Sequence, residues 1–271
     1  MDCYFSIVLY KTPFKEINTL ITSINRLEKE IKKDKIIDIN LKIIICDNFK
    51  NSDYKLCKNN NLKNFFYYKN STNMGYGSGH NKNFSLIKEK KEFLFLITNP
   101  DIQFEPKNIL PLLEYGIKHH NKYSCIAPLI YLEDGNIQYS AKKNPTIIDL
   151  IISRFSIFRR IKLLKSRYEC YINLERDYTK EYILSTYLSG CFLLIPSKIY
   201  AKIDGFTNEY FLHLEDADIT RKCSKFGKTL HIPIASVVHK RGRGSHKSIK
   251  QQFNLIKSIF IYFKIWGLEL F

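Results

Sequence analysis

No window of this chain reaches the roughly 18 uninterrupted apolar residues that a membrane-spanning helix requires. Paired cysteines are missing too. The seven cysteines, at positions 3, 46, 57, 125, 170, 191 and 223, include no C-x-x-C spacing, which argues against a zinc knuckle or disulfide framework and for a reducing compartment. The opening MDCYFSIVLYK has no charged leader and no small-residue cleavage site, so it is expected to be a first strand rather than a secretion signal. Internal repeats and ordered RNA- or DNA-binding motifs are absent, and the aromatic residues fall mainly in apolar runs instead of alternating with Lys or Arg on a stacking face. Acid is scarce: 26 Asp and Glu face 43 Lys and Arg, leaving a net charge of +17. That excess predicts a polyanionic partner, whether nucleic acid, an acidic membrane face or a phosphorylated ligand.

The rest of the composition is globular. With 271 residues, 45% hydrophobic and 25% charged, the chain has enough apolar side chains for a core, as one large domain or two small ones. Short apolar runs alternate with helical patterns. Strands are expected at residues 4–10, 41–46, 64–68 and 92–98, helices at 14–32 and 81–91, and a Gly-rich loop at 73–79. This rhythm implies an α/β fold with a mostly parallel central sheet, whose ligands collect at the carboxyl ends of strands. Farther on, 108–119 reads as a helix, 124–131 and 187–196 as extended, 147–167 as a basic apolar helical stretch, and 230–238 as a last strand.

Three clusters follow strands. Asp47 ends LKIIIC, where a carboxylate can accept hydrogen bonds from a ribose or base; helix capping is the plainer reading. The glycines of NMGYGSGHN let backbone approach a ligand, and Asp101 of TNPD stands where a hard cation could be held together with phosphate oxygens, or where a type I turn forms. The third is FLHLEDADITR: three carboxylates, Glu215, Asp216 and Asp218, among apolar side chains, costly unless a cation, an Arg or a substrate proton compensates. His239 lies at the end of LHIPIASVV.

SIVLYK, CDN, NMGYGSGHN, TNPD, YLSGCFLLIP, IDGFTNEYFLHLEDADITRK and FGKTLHIPIASVVHKRGRGS, in this order, resemble the inverting family 2 glycosyltransferases and their rhamnosyltransferase-like branch. The resemblance implies a GT-A fold over residues 1–245, followed by a basic amphipathic C-terminal helical segment at 246–271. It implies a nucleotide-sugar donor held by Tyr10 and Asp47 and by a loop with Asn73, Gly75, Tyr76, Gly77, Asn81 and Asn99. Mg²⁺ or Mn²⁺ would sit at Asp101 and His239, Asp216 would be the catalytic base flanked by Glu215 and Asp218, and Ser189 and Gly190 would border the acceptor. Asn99 stands where the family has its first metal-motif Asp, Thr207 where Gly-Phe-Asp is usual, and Lys11 where Asn is common.

The chemistry agrees with those roles. A sugar nucleotide already carries a good leaving group, so one base and one metal suffice, unlike the two cooperating carboxylates of a glycosidase. The expected acceptor is a lipid-linked or surface-polysaccharide glycan, met at the cytoplasmic face of a bacterial inner membrane. Rival readings are a nucleotide-sugar hydrolase, with water as acceptor, and a basic nucleic-acid-binding module. In the tail, Ile249, Phe253, Ile256, Ile259, Phe260 and Phe263 recur at near-helical spacing beside Lys257 and Lys264. That stripe suits an anionic membrane interface, or packing on the body or on a second copy in a homodimer.

Overall fold

The computed structural model describes residues 1–34, 37–52, 64–87, 91–240 and 249–270. Its centre is a sheet in the order β3-β2-β1-β4-β10-β6-β11-β5. The strands are β1 (Asp2–Leu9), β2 (Asn40–Asp47), β3 (Phe65–Lys69), β4 (Phe93–Thr98), β5 (Ile102–Gln103), β6 (Tyr123–Leu132), β10 (Phe192–Pro196) and β11 (Lys228–His239). β1 runs parallel to β2 and β4, and β6 runs parallel to β11. β10 is inserted antiparallel between β4 and β6, and β5 closes antiparallel on β11. Two-residue strands β7 (Ala141–Lys142) and β9 (Tyr187–Leu188) pair apart from it, and β8 (Ile183–Leu184) adds to β11.

Helices cover both faces because the central strands are apolar on both: β4 is buried along its whole length. α1 (Phe14–Asp34) buries Ile17, Leu20, Ile21, Ile24, Leu27 and Ile31 with α3 (Pro106–His119) on one face. α2 (Tyr76–Leu86), α6 (Ser197–Lys202) and α7 (Glu215–Ser224) cover the other. A third apolar cluster lies outside the sheet. There α4 (Ile147–Arg154), α5 (Lys162–Tyr171) and α8 (Ile249–Trp266) meet α7 through Ile147, Leu150, Tyr171, Leu214, Tyr262 and Phe263.

Three expectations change. The Gly-rich segment is not all loop: α2 begins at Tyr76, so Gly77 and Gly79 are helical. A Cβ at Gly77 would come within 2.8 Å of Phe206 and one at Gly79 within 2.7 Å of Val8, so helix α2 needs both glycines to approach its neighbours. The stretch 147–167 is not one helix. It breaks at Phe155, whose ψ of 95° is extended, into α4, a 3₁₀ turn at Ser156–Arg160 and α5. Thr146 and Asp149 form a capping box that starts α4, and Arg167 clamps Asp149 from α5 with Nε at 2.8 Å. The span 187–196 also divides, between β9 and β10, around the bend at Gly190.

α8 is latched to α7. Trp266 Nε1 donates to Asp218 Oδ1 at 2.8 Å, Arg221 donates to Tyr262 Oη at 3.0 Å and lies over the Trp266 ring, and Ser258 Oγ donates to the Leu212 carbonyl at 2.8 Å. Asp218 is fully buried, so each of its oxygens needs a donor. Trp266→Phe leaves one without, and is expected to cost about 1–3 kcal/mol and roughly 3–9 °C in thermal midpoint, read by calorimetry; an unchanged midpoint would show that the latch contributes nothing.

Candidate active site

Two strand ends converge first. β5 pairs with β11 so that His239 lies opposite Ile102, and the Lys240 amide donates to the Asp101 carbonyl at 3.1 Å. This backbone register brings His239 Nε2 to 3.3 Å from Asp101 Oδ1 and 3.3 Å from Asn99 Nδ2. His239 Nδ1 sits 2.8 Å from Gln138 Oε1, an oxygen that only accepts, so the Nδ1 proton is fixed and Nε2 is the atom presented to Asp101. Burial opposes charge on His239, but Asp101 and Cys191 outweigh it and raise the imidazole to about 10. One carboxylate and one imidazole, both largely buried, suit a hard divalent cation that takes its remaining ligands from water and substrate phosphates. Among the described residues no group of three or more His, Cys, Asp or Glu could hold a metal ion.

The acidic turn is the second part. Its three carboxylates have three different environments. Asp218 accepts from Thr207 Oγ1 at 2.7 Å and from Trp266, so both oxygens are engaged by protein. Asp216 is only partly buried; its Oδ2 accepts from the Gly190 amide at 3.1 Å and its Oδ1 from the Ala217 amide at 2.9 Å. A Cβ on Gly190 would lie 2.8 Å from the Asp216 Cβ, so glycine is what lets this backbone close on the carboxylate. Glu215 is buried, and its Oε2 meets no hydrogen-bond partner. Burial first and Asp216 second raise its carboxyl from 4.5 to about 8.

The residues expected at the donor divide into two sets. Tyr10 is half exposed, packs edge-on against Phe49 with ring centres 6.0 Å apart, and has Lys11 Nζ beside that pair. Asp47 is fully buried; its oxygens accept from the Phe49 amide at 2.9 Å and from Tyr67 Oη at 2.7 Å. Asn73 Oδ1 caps the Gly75 amide at 3.0 Å, and a Cβ on Gly75, at φ 89°, would lie 2.6 Å from the Phe211 carbonyl. Gly75 thus ties the loop to the acidic turn and has its N–H occupied by Asn73. Asn81 is committed as well: Nδ2 donates to the Phe206 carbonyl and Oδ1 accepts from Tyr200 Oη and the Phe206 amide. Tyr76 Oη donates to the Gly190 carbonyl at 2.8 Å and so braces the backbone that holds Asp216.

A cleft of about 670 Å³ joins His239 to the acidic turn; Tyr10, Asp47, Asn73, Gly75, Asn81 and Asp101 are not in its lining. Asn99, Gln138 and His239 line one end, Ser189, Gly190, Glu215 and Asp216 another, and α4 and α8 form its apolar walls. Sequence reading did not find Gln138, Tyr187, Lys142 or Arg154. Gln138, Lys142 and Arg154 enter the cleft from the 138–154 segment, and Tyr187, the first residue of YLSGCFLLIP, enters from β9.

No family model matches the chain. The rhamnosyltransferase WbbL of Escherichia coli (strain K12) is 24% identical over 195 residues, covering 69% of this chain and 70% of that protein. The N-acetylglucosaminyl-diphospho-decaprenol L-rhamnosyltransferase of Mycobacterium tuberculosis (strain ATCC 25618 / H37Rv) is 24% identical over 193 residues, 64% of this chain and 58% of that protein, so the match spans under two thirds of it. Two solved structures share the architecture. GalNAc-T7 with UDP, GalNAc and Mn²⁺ superposes with a TM-score of 0.65 at 15% identity, over 96% of this chain and 47% of that one. Staphylococcus aureus TarS 1-349 in complex with UDP gives 0.60 at 14% identity, over 100% and 68%. The chain shares the GT-A fold of these structures and is similar in sequence to rhamnosyltransferases.

In this chain the β10 insertion and the β5–β11 pairing place Asp216 and His239 on one cleft. Glu215 supplies a test of the acidic turn. Its folded pKa of about 8 lies above the ordinary 4.5, so the folded state holds an extra proton between those values and stability falls as pH rises through that interval. Glu215→Gln removes the titration. Between about pH 6 and about pH 8.5 the thermal midpoint of the parent is expected to drop more than that of the variant; parallel declines would refute the assignment.

Proposed function

We propose that this glycosyltransferase transfers a sugar, with inversion, from a nucleotide-sugar donor to a hydroxyl of a lipid-linked or surface-polysaccharide acceptor. The observation that carries the reading is an oriented carboxylate, Asp216, on the same cleft as His239, which is paired with Asp101. The donor proposed is dTDP-rhamnose, in keeping with the names of the E. coli and M. tuberculosis relatives. The decaprenol in the mycobacterial name supports a lipid-linked acceptor, and the UDP-GlcNAc bound to TarS supports a nucleotide sugar as donor. A cleft of about 670 Å³ is far more than a water molecule needs, which favours transfer over hydrolysis.

Asp216 takes the proton of the acceptor hydroxyl as that oxygen attacks the anomeric carbon. The sugar–phosphate bond breaks, the nucleoside diphosphate departs with its electron pair, and attack from the opposite face inverts the configuration. The Gly190 and Ala217 amides keep the carboxylate aimed, and each of its oxygens retains a lone pair for the incoming proton. Burial and the neighbouring Asp216 raise the Glu215 carboxyl to about 8, which favours its protonated form. Asp101 and His239 would hold Mg²⁺ or Mn²⁺, which when bound neutralises charge on the departing diphosphate; the Mn²⁺ in GalNAc-T7 is in keeping with this. Tyr10 and Lys11 form an open corner at the end of β1 for the base, with Asp47 behind it and Ser189 beside Gly190 on the acceptor side. With a lipid-linked acceptor the enzyme works at the cytoplasmic face of a bacterial inner membrane, and no described helix is long and apolar enough to cross one.

Two outcomes follow. Asp216→Asn lowers kcat for transfer about 10²–10⁴-fold while thermal stabilisation by a nucleoside diphosphate stays at the parent level; undiminished transfer sinks the assignment. In Asp101→Asn, Mn²⁺ no longer enhances nucleoside diphosphate stabilisation in thermal melts, and chelation of the parent with EDTA stops transfer until Mn²⁺ or Mg²⁺ is restored. Full Mn²⁺ enhancement in the variant would remove Asp101 from the metal.

A further inference from the structure

The cleft has two rims, and each carries large apolar side chains in water. On one, from the end of α4 through the 3₁₀ turn to α5, Phe155, Ile157, Ile161 and Leu163 are 55%, 55%, 54% and 78% exposed. On the other, Phe253, Ile256 and Phe260 of α8 are 74%, 53% and 73% exposed. α8 divides its apolar residues: Tyr262 and Phe263 pack on the body, whereas Phe253, Ile256, Lys257, Phe260 and Lys264 form an outward stripe at helical spacing. Monomeric proteins rarely leave so much contiguous apolar surface without a use.

Both rims carry more base than acid. Residues 150–168 include Arg154, Arg159, Arg160, Lys162, Lys165 and Arg167, of which Arg167 pairs with Asp149 and Lys165 with Glu169, and 251–268 include Lys257 and Lys264 and no acid. The rims are also continuous with the cleft, because exposed Phe155 and Ile256 line it. We infer that the two rims together form a docking face for an anionic lipid bilayer, inserting their apolar side chains among the headgroups and pressing the mouth of the cleft against the membrane. The charge pattern selects this occupant. A two-fold contact between copies would set basic rim against basic rim, and nucleic acid would leave Ile157, Ile161 and Leu163 without a partner. Apolar insertion combined with Lys and Arg at headgroup level matches an anionic interface. With the proposed function, on which this step rests, the face lets a lipid-borne acceptor hydroxyl reach Asp216 while its chain stays in the bilayer.

The test is vesicle flotation of the full chain, without donor or acceptor, on phosphatidylglycerol–phosphatidylcholine vesicles and on phosphatidylcholine vesicles. The parent is expected to float with the anionic vesicles, less so at high salt, and not with the neutral ones. Ile157→Glu with Leu163→Glu on one rim, and Phe253→Glu with Phe260→Glu on the other, are each expected to reduce bound protein about tenfold or more. None of the four lines the cleft, so each double variant keeps the parent thermal midpoint and donor consumption with a water-soluble acceptor. A parent that does not float, or floats equally on both vesicles, overturns the docking face. So does loss of binding in only one of the double variants, since both rims are required. If the parent forms a dimer that either variant dissolves, a second copy is the occupant instead. Flotation without sugar transfer would sink the function while leaving the docking face standing.

Discussion

Three carboxylates within four residues cannot all be charged and dry, and much of the architecture around α7 answers that constraint. The chain separates them by environment. Asp218 is buried and balanced by Thr207 and Trp266, Glu215 is buried with its carboxyl pKa raised to about 8, and Asp216 is the least buried of the three where the acidic turn meets the cleft. Each solution recruits a distant piece of chain. Trp266 fastens α8, the Gly190 bend closes on Asp216, and Tyr76 braces that bend from the start of α2. Thr207, at a position where the family pattern has Asp, offers Asp218 a hydroxyl instead of a second negative charge.

The cation-binding side of the cleft is built differently, from backbone register. The short β5 strand pairs with the end of β11 and carries Asp101 to His239; Gln138 then fixes which imidazole nitrogen faces the carboxylate. Neither side chain needs a specialised loop. Both sit where strands end in a mainly parallel sheet, the general location of ligand sites in such folds.

Sheet and flanking helices were legible because their cause is local: an apolar run for a buried strand, a 3.6-residue stripe for α1. Asp101, Asp216 and His239 stood out through their positions after strands. The glycines at 75, 77 and 79 have two physical readings in the sequence, and the structure shows one of them. A missing side chain serves close packing as readily as a ligand, and the three meet Phe211, Phe206 and Val8. Asn81 was likewise placed at the donor, whereas its amide holds the loop after α6. The apolar stripe of α8 also had two readings, and the structure divides it residue by residue, with Phe263 packed and Phe260 exposed.

By itself the sequence determined the α/β order, the ordered motifs of a glycosyltransferase and the large positive charge, since each depends on residues near one another in the chain. Only tertiary structure decided which of three adjacent acids is free to act, that Gln138 orients His239, and that the basic segments around 150–168 and 249–268 border one cleft. Those properties depend on which distant groups are brought within hydrogen-bonding distance and on how much water is excluded there. Side-chain identity alone carries neither, because the same carboxylate is a buried strut at 218 and a cleft-facing anion at 216.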